Sequence, residues 1–109
     1  MRSQLLRDYL TDTPDKRVRV EVSYSRGISG GRGYWLHIYP CRIEGQYAFI
    51  TMGEGWRKML APAKRFSDKG LRDAAWQAEQ LLLQDDPAVR QRIAECGKVQ
   101  EEVECACEY

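Results

Sequence analysis

Histidine occurs only once in this chain, at His37. A lone histidine needs an acid or a nucleophile beside it to do acid–base or nucleophilic work, and no spacing here places one. Long apolar runs are also missing. The longest strictly aliphatic run is Leu81-Leu82-Leu83, far short of a membrane-spanning helix. The segment MRSQLLRDYL lacks the apolar core of a signal peptide, so a cytoplasmic protein with four reduced cysteines is expected. No Gly-Lys-Ser/Thr follows the glycine-rich loop, which excludes a nucleotide P-loop. No internal repeat and no long linker interrupts the 109 residues, so one α+β domain over 1–109 is expected, with 98–109 a fraying acidic tail.

Two motifs match a chemistry in letter only. Gly27-Ile28-Ser29-Gly30-Gly31 satisfies G-x-S-x-G, but a nucleophile elbow needs a strand before it and a helix after it, and here a strand follows. His37 and Cys41 share a strand face, and Cys105 and Cys107 would complete a Cys3His set in kind. Their spacing fits no standard finger or ribbon. No catalytic residue, no metal site and no cofactor is therefore expected.

What is present is a globular composition, 43% apolar and 30% charged, with an uneven charge. Residues 1–66 carry a net +6 and residues 67–109 a net −5. Arginine outnumbers lysine twelve to five, a bias that suits planar contacts with phosphates, carboxylates and aromatic rings.

The stretch Arg26–Met52 organises the chain, with five of its eleven aromatic residues and its histidine. Tyr34–Ile43 and Gln46–Met52 are aromatic and β-branched, and Glu44-Gly45 between them predicts a hairpin. Alternation puts Tyr34, Leu36 and Ile38 on one face and Trp35, His37, Tyr39 and Cys41 on the other. Before it, Ser3–Leu10 is read as a short helix with Leu5, Leu6, Tyr9 and Leu10 on one side, and TDTPDK at 11–16 as a turn. Arg17–Tyr24 is the cleanest strand, with Val18, Val20, Val22 and Tyr24 alternating with Arg17, Arg19, Glu21 and Ser23. Ser25–Gly33 reads as a loop.

After Gly53-Glu54-Gly55, Trp56–Ala61 predicts a further strand ended by Pro62, then a basic connector over 63–70. A helix is expected from Ser67, its N-cap, to about Gln84, with Leu71, Ala74, Ala75, Ala78, Leu81 and Leu82 as its apolar stripe. Trp76 and Leu83 widen that stripe on one flank. A third helix is expected from Pro87 with Asp86 as cap, interrupted at Gly97, and a last helical piece over Lys98–Tyr109. The expected fold is thus a meander of three or four antiparallel strands, with a short N-terminal helix and two to three C-terminal helices. The first C-terminal helix should lie on the Val18/Val20/Val22 face.

The helix–strand–strand–strand–helix order resembles that of double-stranded RNA-binding domains. Ser67–Leu82 is similar to that family's last helix, with Lys64, Arg65 and Lys69 at its basic start. The resemblance implies that these three cations contact phosphate. The strand near Trp56 and the loop at 25–33 depart from the family's pattern.

The expected function is non-enzymatic binding of a macromolecular protein partner. In size and style the chain resembles the accessory or inhibitor proteins of phages and plasmids, anti-CRISPR proteins included. The alternative is nucleic-acid binding by a basic, aromatic sheet face. Arg17, Arg19, Arg26, Arg32, Trp35, His37, Tyr39, Tyr47, Arg57, Lys64 and Arg65 are the binding residues in either case, because aromatics interleaved with cations suit both partners. No membrane contact is expected.

Overall fold

One long strand carries the sheet. In the computed structural model, which describes residues 2–26, 31–44, 48–51 and 55–107 (side chains for 2–26, 31–43 and 55–97), Arg32–Glu44 runs through the middle as β3. The other strands are β1 (Ser3–Leu10), β2 (Lys16–Arg26), β4 (Ala48–Thr51) and β5 (Trp56–Pro62), and the helices are α1 (Asp68–Leu83) and α2 (Pro87–Cys107). All pairings are antiparallel. β1 to β4 follow one another as a meander. β2 takes one edge of β3 along its whole length. The second edge is divided: β4 pairs with Cys41–Glu44 and β5 with Gly33–Ile38.

The expected N-terminal helix is absent, because Ser3–Leu10 is a strand. It pairs with β2 from Ser3↔Ser23 to Leu10↔Arg17, and its register slips between Leu5 and Arg7. That slip is a bulge at Leu6, and it explains the misreading. A bulge places two successive residues on one side. Leu6 and Tyr9, three apart, therefore both pack on the core, a spacing that imitates a helix. Eight residues make a marginal helix by themselves, whereas the open edge of β2 offers a full ladder. The layout of a double-stranded RNA-binding domain, which starts with a helix, does not hold.

Among the described residues the C-terminal helices number two. Gly97 lies inside α2 without ending it. A mid-helix glycine costs about 1 kcal/mol relative to alanine, which weakens a helix but does not break one anchored by packing. Val89 is buried in the core, with Ile93 and Cys96 packed against it. Both helix caps read from sequence are in place: Gly70 N donates to Ser67 Oγ at 3.0 Å, and Ala88 N donates to Asp86 Oδ1 at 3.1 Å. Between the helices Asp85 adopts a φ of 52°, a left-handed conformation that a short polar side chain tolerates.

The core lies between the sheet and the helices. Val18, Val20, Val22, Tyr34, Leu36 and Ile38 meet Leu71, Ala74 and Ala78 of α1 and Val89 of α2, so α1 covers the valine face as expected. Tyr34 also fastens the start of α1. Its hydroxyl donates to Ser67 O at 3.1 Å and accepts from Ser67 N at 2.9 Å. Gly70 is the residue that allows this, since a Cβ there would strike the Tyr34 ring. Among the described residues, no helix is long and apolar enough to cross a membrane.

Candidate binding surfaces

The helices cover one face of the sheet, and the other face is the first candidate surface. Cross-strand register builds it in rows: Leu10–Arg17–Cys41, Asp8–Arg19–Tyr39, Leu5–Glu21–His37–Arg57 and Ser23–Trp35–Met59. Six of the eleven expected binding residues therefore share this face: Arg17, Arg19, Trp35, His37, Tyr39 and Arg57. Tyr47 lies outside the described residues, as does the loop segment 27–30.

Most of the charge on this face is engaged within it. Arg19 grips Asp8 through two hydrogen bonds, Nε to Oδ1 at 2.9 Å and Nη2 to Oδ2 at 3.1 Å. That bidentate contact holds the guanidinium pKa above its ordinary value. Arg17 Nη1 donates to the carbonyls of Pro14 and Lys16, both at 2.7 Å. His37 Nδ1 lies 3.8 Å from Glu21 Oε1. Arg57, opposite His37, is exposed and makes no ion pair among the described residues.

The aromatics of the face are ordered rather than loose. The His37 and Tyr39 rings lie 4.4 Å apart, and Trp35 Nε1 donates to Ser25 O at 3.1 Å. Tyr39 is 8% exposed, and burial, with Glu21 nearby, pushes its phenol up to about 12. Cys41 is fully buried, and burial raises its thiol, as it does that of Cys96. Burial thereby disfavours the thiolate, the nucleophilic form, at both positions. The side chains of Cys105 and Cys107 are outside the described ones. Among the described residues, no three His, Cys, Asp or Glu side chains lie together as a metal set.

The second surface is the end of the sheet where β2 turns into β3. Both strands run further than expected, to Arg26 and from Arg32, so these two arginines stand directly opposite each other. The chain after β5 returns to the same place. Gly33 pairs with Pro62, and Ala63 N donates to Arg32 O at 3.0 Å. Gly31, Arg32, Pro62, Ala63 and Lys64 line an open depression there, and Arg65 follows. Arg26, Arg32, Lys64 and Arg65 are all exposed, and among the described residues none makes an ion pair. Lys69, assigned with Lys64 and Arg65 to a basic helix start, is instead held by Asp73 at 2.9 Å.

Sequence reasoning missed three contributors. Asp8, Leu5 and Leu10 join the open face because Ser3–Leu10 is a strand. Leu5 and Leu10 are 50% and 78% exposed, and no signal in a segment read as helix could have placed them there. Trp76 and Leu83 on α1, expected to widen its apolar stripe, are instead 67% exposed each, because they lie beyond the strip of helix that meets the sheet. Compared with protein-family models, curated proteins and solved structures, the chain matches none.

Proposed function

We propose that the chain is a non-enzymatic binding protein, of the accessory or inhibitor kind, that docks a protein partner on the open face of its sheet. The observation that carries this reading is the internal charge balance of that face. Arg19 is held by Asp8, Arg17 by two carbonyls, and Glu21 lies beside His37. What remains for a partner is half-buried Trp35 and His37, ordered over buried Tyr39, with exposed Leu5 and Leu10, and Arg57. Protein interfaces have this composition: Trp, Tyr and Arg at an apolar centre, with few uncompensated charges. The partner surface should offer apolar side chains with a carboxylate facing Arg57. Buried Cys41 and half-buried Cys96, whose thiolates burial disfavours, support the non-enzymatic part of the reading.

A nucleic-acid surface built on Arg17 and Arg19 has less support, because both guanidiniums already have acceptors inside the fold. The test is affinity capture from the native host with the whole chain and four variants. Leu10→Glu, Arg57→Glu and Trp35→Ala should each lose a protein that wild type and Trp76→Glu retain. Loss with Trp76→Glu alone would move the interface to α1. A homodimer in light scattering that Arg57→Glu dissociates would replace the separate partner by a second copy.

A further inference from the structure

The basic end of the sheet has no part in that face and has a different chemistry. We propose that Arg26, Arg32, Lys64 and Arg65 bind the phosphodiester backbone of a nucleic acid.

Three observations lead there. First, the charge has no carboxylate partner among the described residues. Arg26 stands directly opposite Arg32, and like charges at paired positions destabilise a sheet. Lys64 joins them across the depression, because Ala63 is bonded to Arg32. Along the chain there is no acidic residue between Glu21 and Glu44, or between Glu54 and Asp68, and Asp68 makes no ion pair with these cations among the described residues. A ligand with negative charge removes the repulsion.

Second, the frame under these cations is fixed. Tyr24 Oη donates to Ala63 O at 3.0 Å, and the Tyr24 and Phe66 rings meet edge to face at 5.8 Å. Ser67 is bonded through both its N–H and its carbonyl to the Tyr34 hydroxyl. Arg2 adds a fifth positive charge, its guanidinium 5.5 Å from the Phe66 ring and 5.8 Å from the Tyr24 ring. Segment 62–67 is thus pinned to the sheet at several points, and preorganised cations lose less freedom on binding.

Third, among the described residues the end shows none of the anchors that another partner would need. The large exposed apolar residues among those described are Leu5, Leu10, Trp76 and Leu83, and none belongs to it. A protein interface draws its energy from buried apolar anchors, and a membrane surface needs apolar side chains to insert. Three arginines and a lysine with no such anchor suit phosphate oxygens, which planar guanidiniums bind in pairs. Contacts of this kind position a backbone and read no bases, so binding should be insensitive to sequence.

The test is fluorescence anisotropy of a short labelled single strand, and of its duplex, with the whole chain. Four phosphate contacts predict a log–log salt slope of about −3 on the single strand, or about a 50-fold loss of affinity between roughly 50 and 200 mM salt. Arg26→Gln/Arg32→Gln should reduce the slope by about 1.4, and Lys64→Glu/Arg65→Glu should abolish binding. All four side chains are exposed, so circular dichroism should show both variants folded. Arg90→Gln, on α2 and already paired with Asp85, should leave affinity within about twofold. No salt-sensitive binding at the lower salt, or an unchanged slope in Arg26→Gln/Arg32→Gln, would overturn the proposal. So would equal affinity for polyglutamate, or binding of inorganic pyrophosphate without binding of either oligonucleotide.

Discussion

Arg19 and Arg26 belong to the same strand and meet different surroundings. Arg19 points onto the open face and is gripped there by Asp8 of β1. Arg26 ends the strand facing Arg32, with no ion-pair partner among the described residues. Arginine content alone would treat the two alike. Their neighbours separate them, because a bidentate carboxylate turns one cation into part of the fold. The other remains available to a ligand. The open face is therefore close to neutral and aromatic, and the end of the sheet is basic, with no large exposed apolar residue among those described.

That contrast can be broken or sharpened by substitution. Both surfaces hang on β3, so the largest effect should come from its core side. Leu36 is fully buried between them, and Leu36→Ala should cost about 3 kcal/mol in urea unfolding and weaken both surfaces together. Loss of one binding activity with the other intact would show that they do not share this support.

Asp8→Ala should erase the difference from the other side. It removes the acceptor of Arg19, at a cost of about 1 kcal/mol for a half-buried bidentate pair. It should leave the single-strand salt slope unchanged, because Arg19 lies on the open face, away from Arg26 and Arg32. A steeper slope would put Arg19 within reach of the nucleic acid.

A smaller effect is pH-dependent. Tyr39 has its phenol raised to about 12 in the fold, above the ordinary value near 10. Its contribution is whole below pH 10 and is lost as pH climbs towards the folded value, because the unfolded chain ionises first. Between pH 9 and 11 wild type should lose about 1 kcal/mol that Tyr39→Phe does not. Parallel pH profiles for the two proteins would refute the burial of this ring.

Much of the fold was legible because its signals are local. Alternation in Arg17–Tyr24 and Tyr34–Ile43 reported which residues face the helices, and Ser67 and Asp86 announced the two helix starts. β1 was not legible, because the bulge at Leu6 gives a strand the spacing of a helix. Pairing of β5 on the vacant half of β3 was hidden as well, since nothing local to Trp56–Ala61 says which edge it meets. The site suffered from the first of these errors. With Ser3–Leu10 read as a helix, Asp8 could not be matched to Arg19, and eleven residues looked like one surface. The opposition of Arg26 and Arg32 was concealed by reading both into a loop. The nine residues Ser25–Gly33 hold four glycines, which masked the strand ends on either side.

The most direct measurement is a pair of urea melts at low salt, on Arg19→Gln and on Arg26→Gln. The two should move in opposite directions. Arg19→Gln should lose about 1 kcal/mol with its carboxylate partner, whereas Arg26→Gln should gain about 0.3 kcal/mol from relief of the repulsion with Arg32. Equal destabilisation in both would contradict the account, because the arginines at the end of the sheet would then be part of the fold.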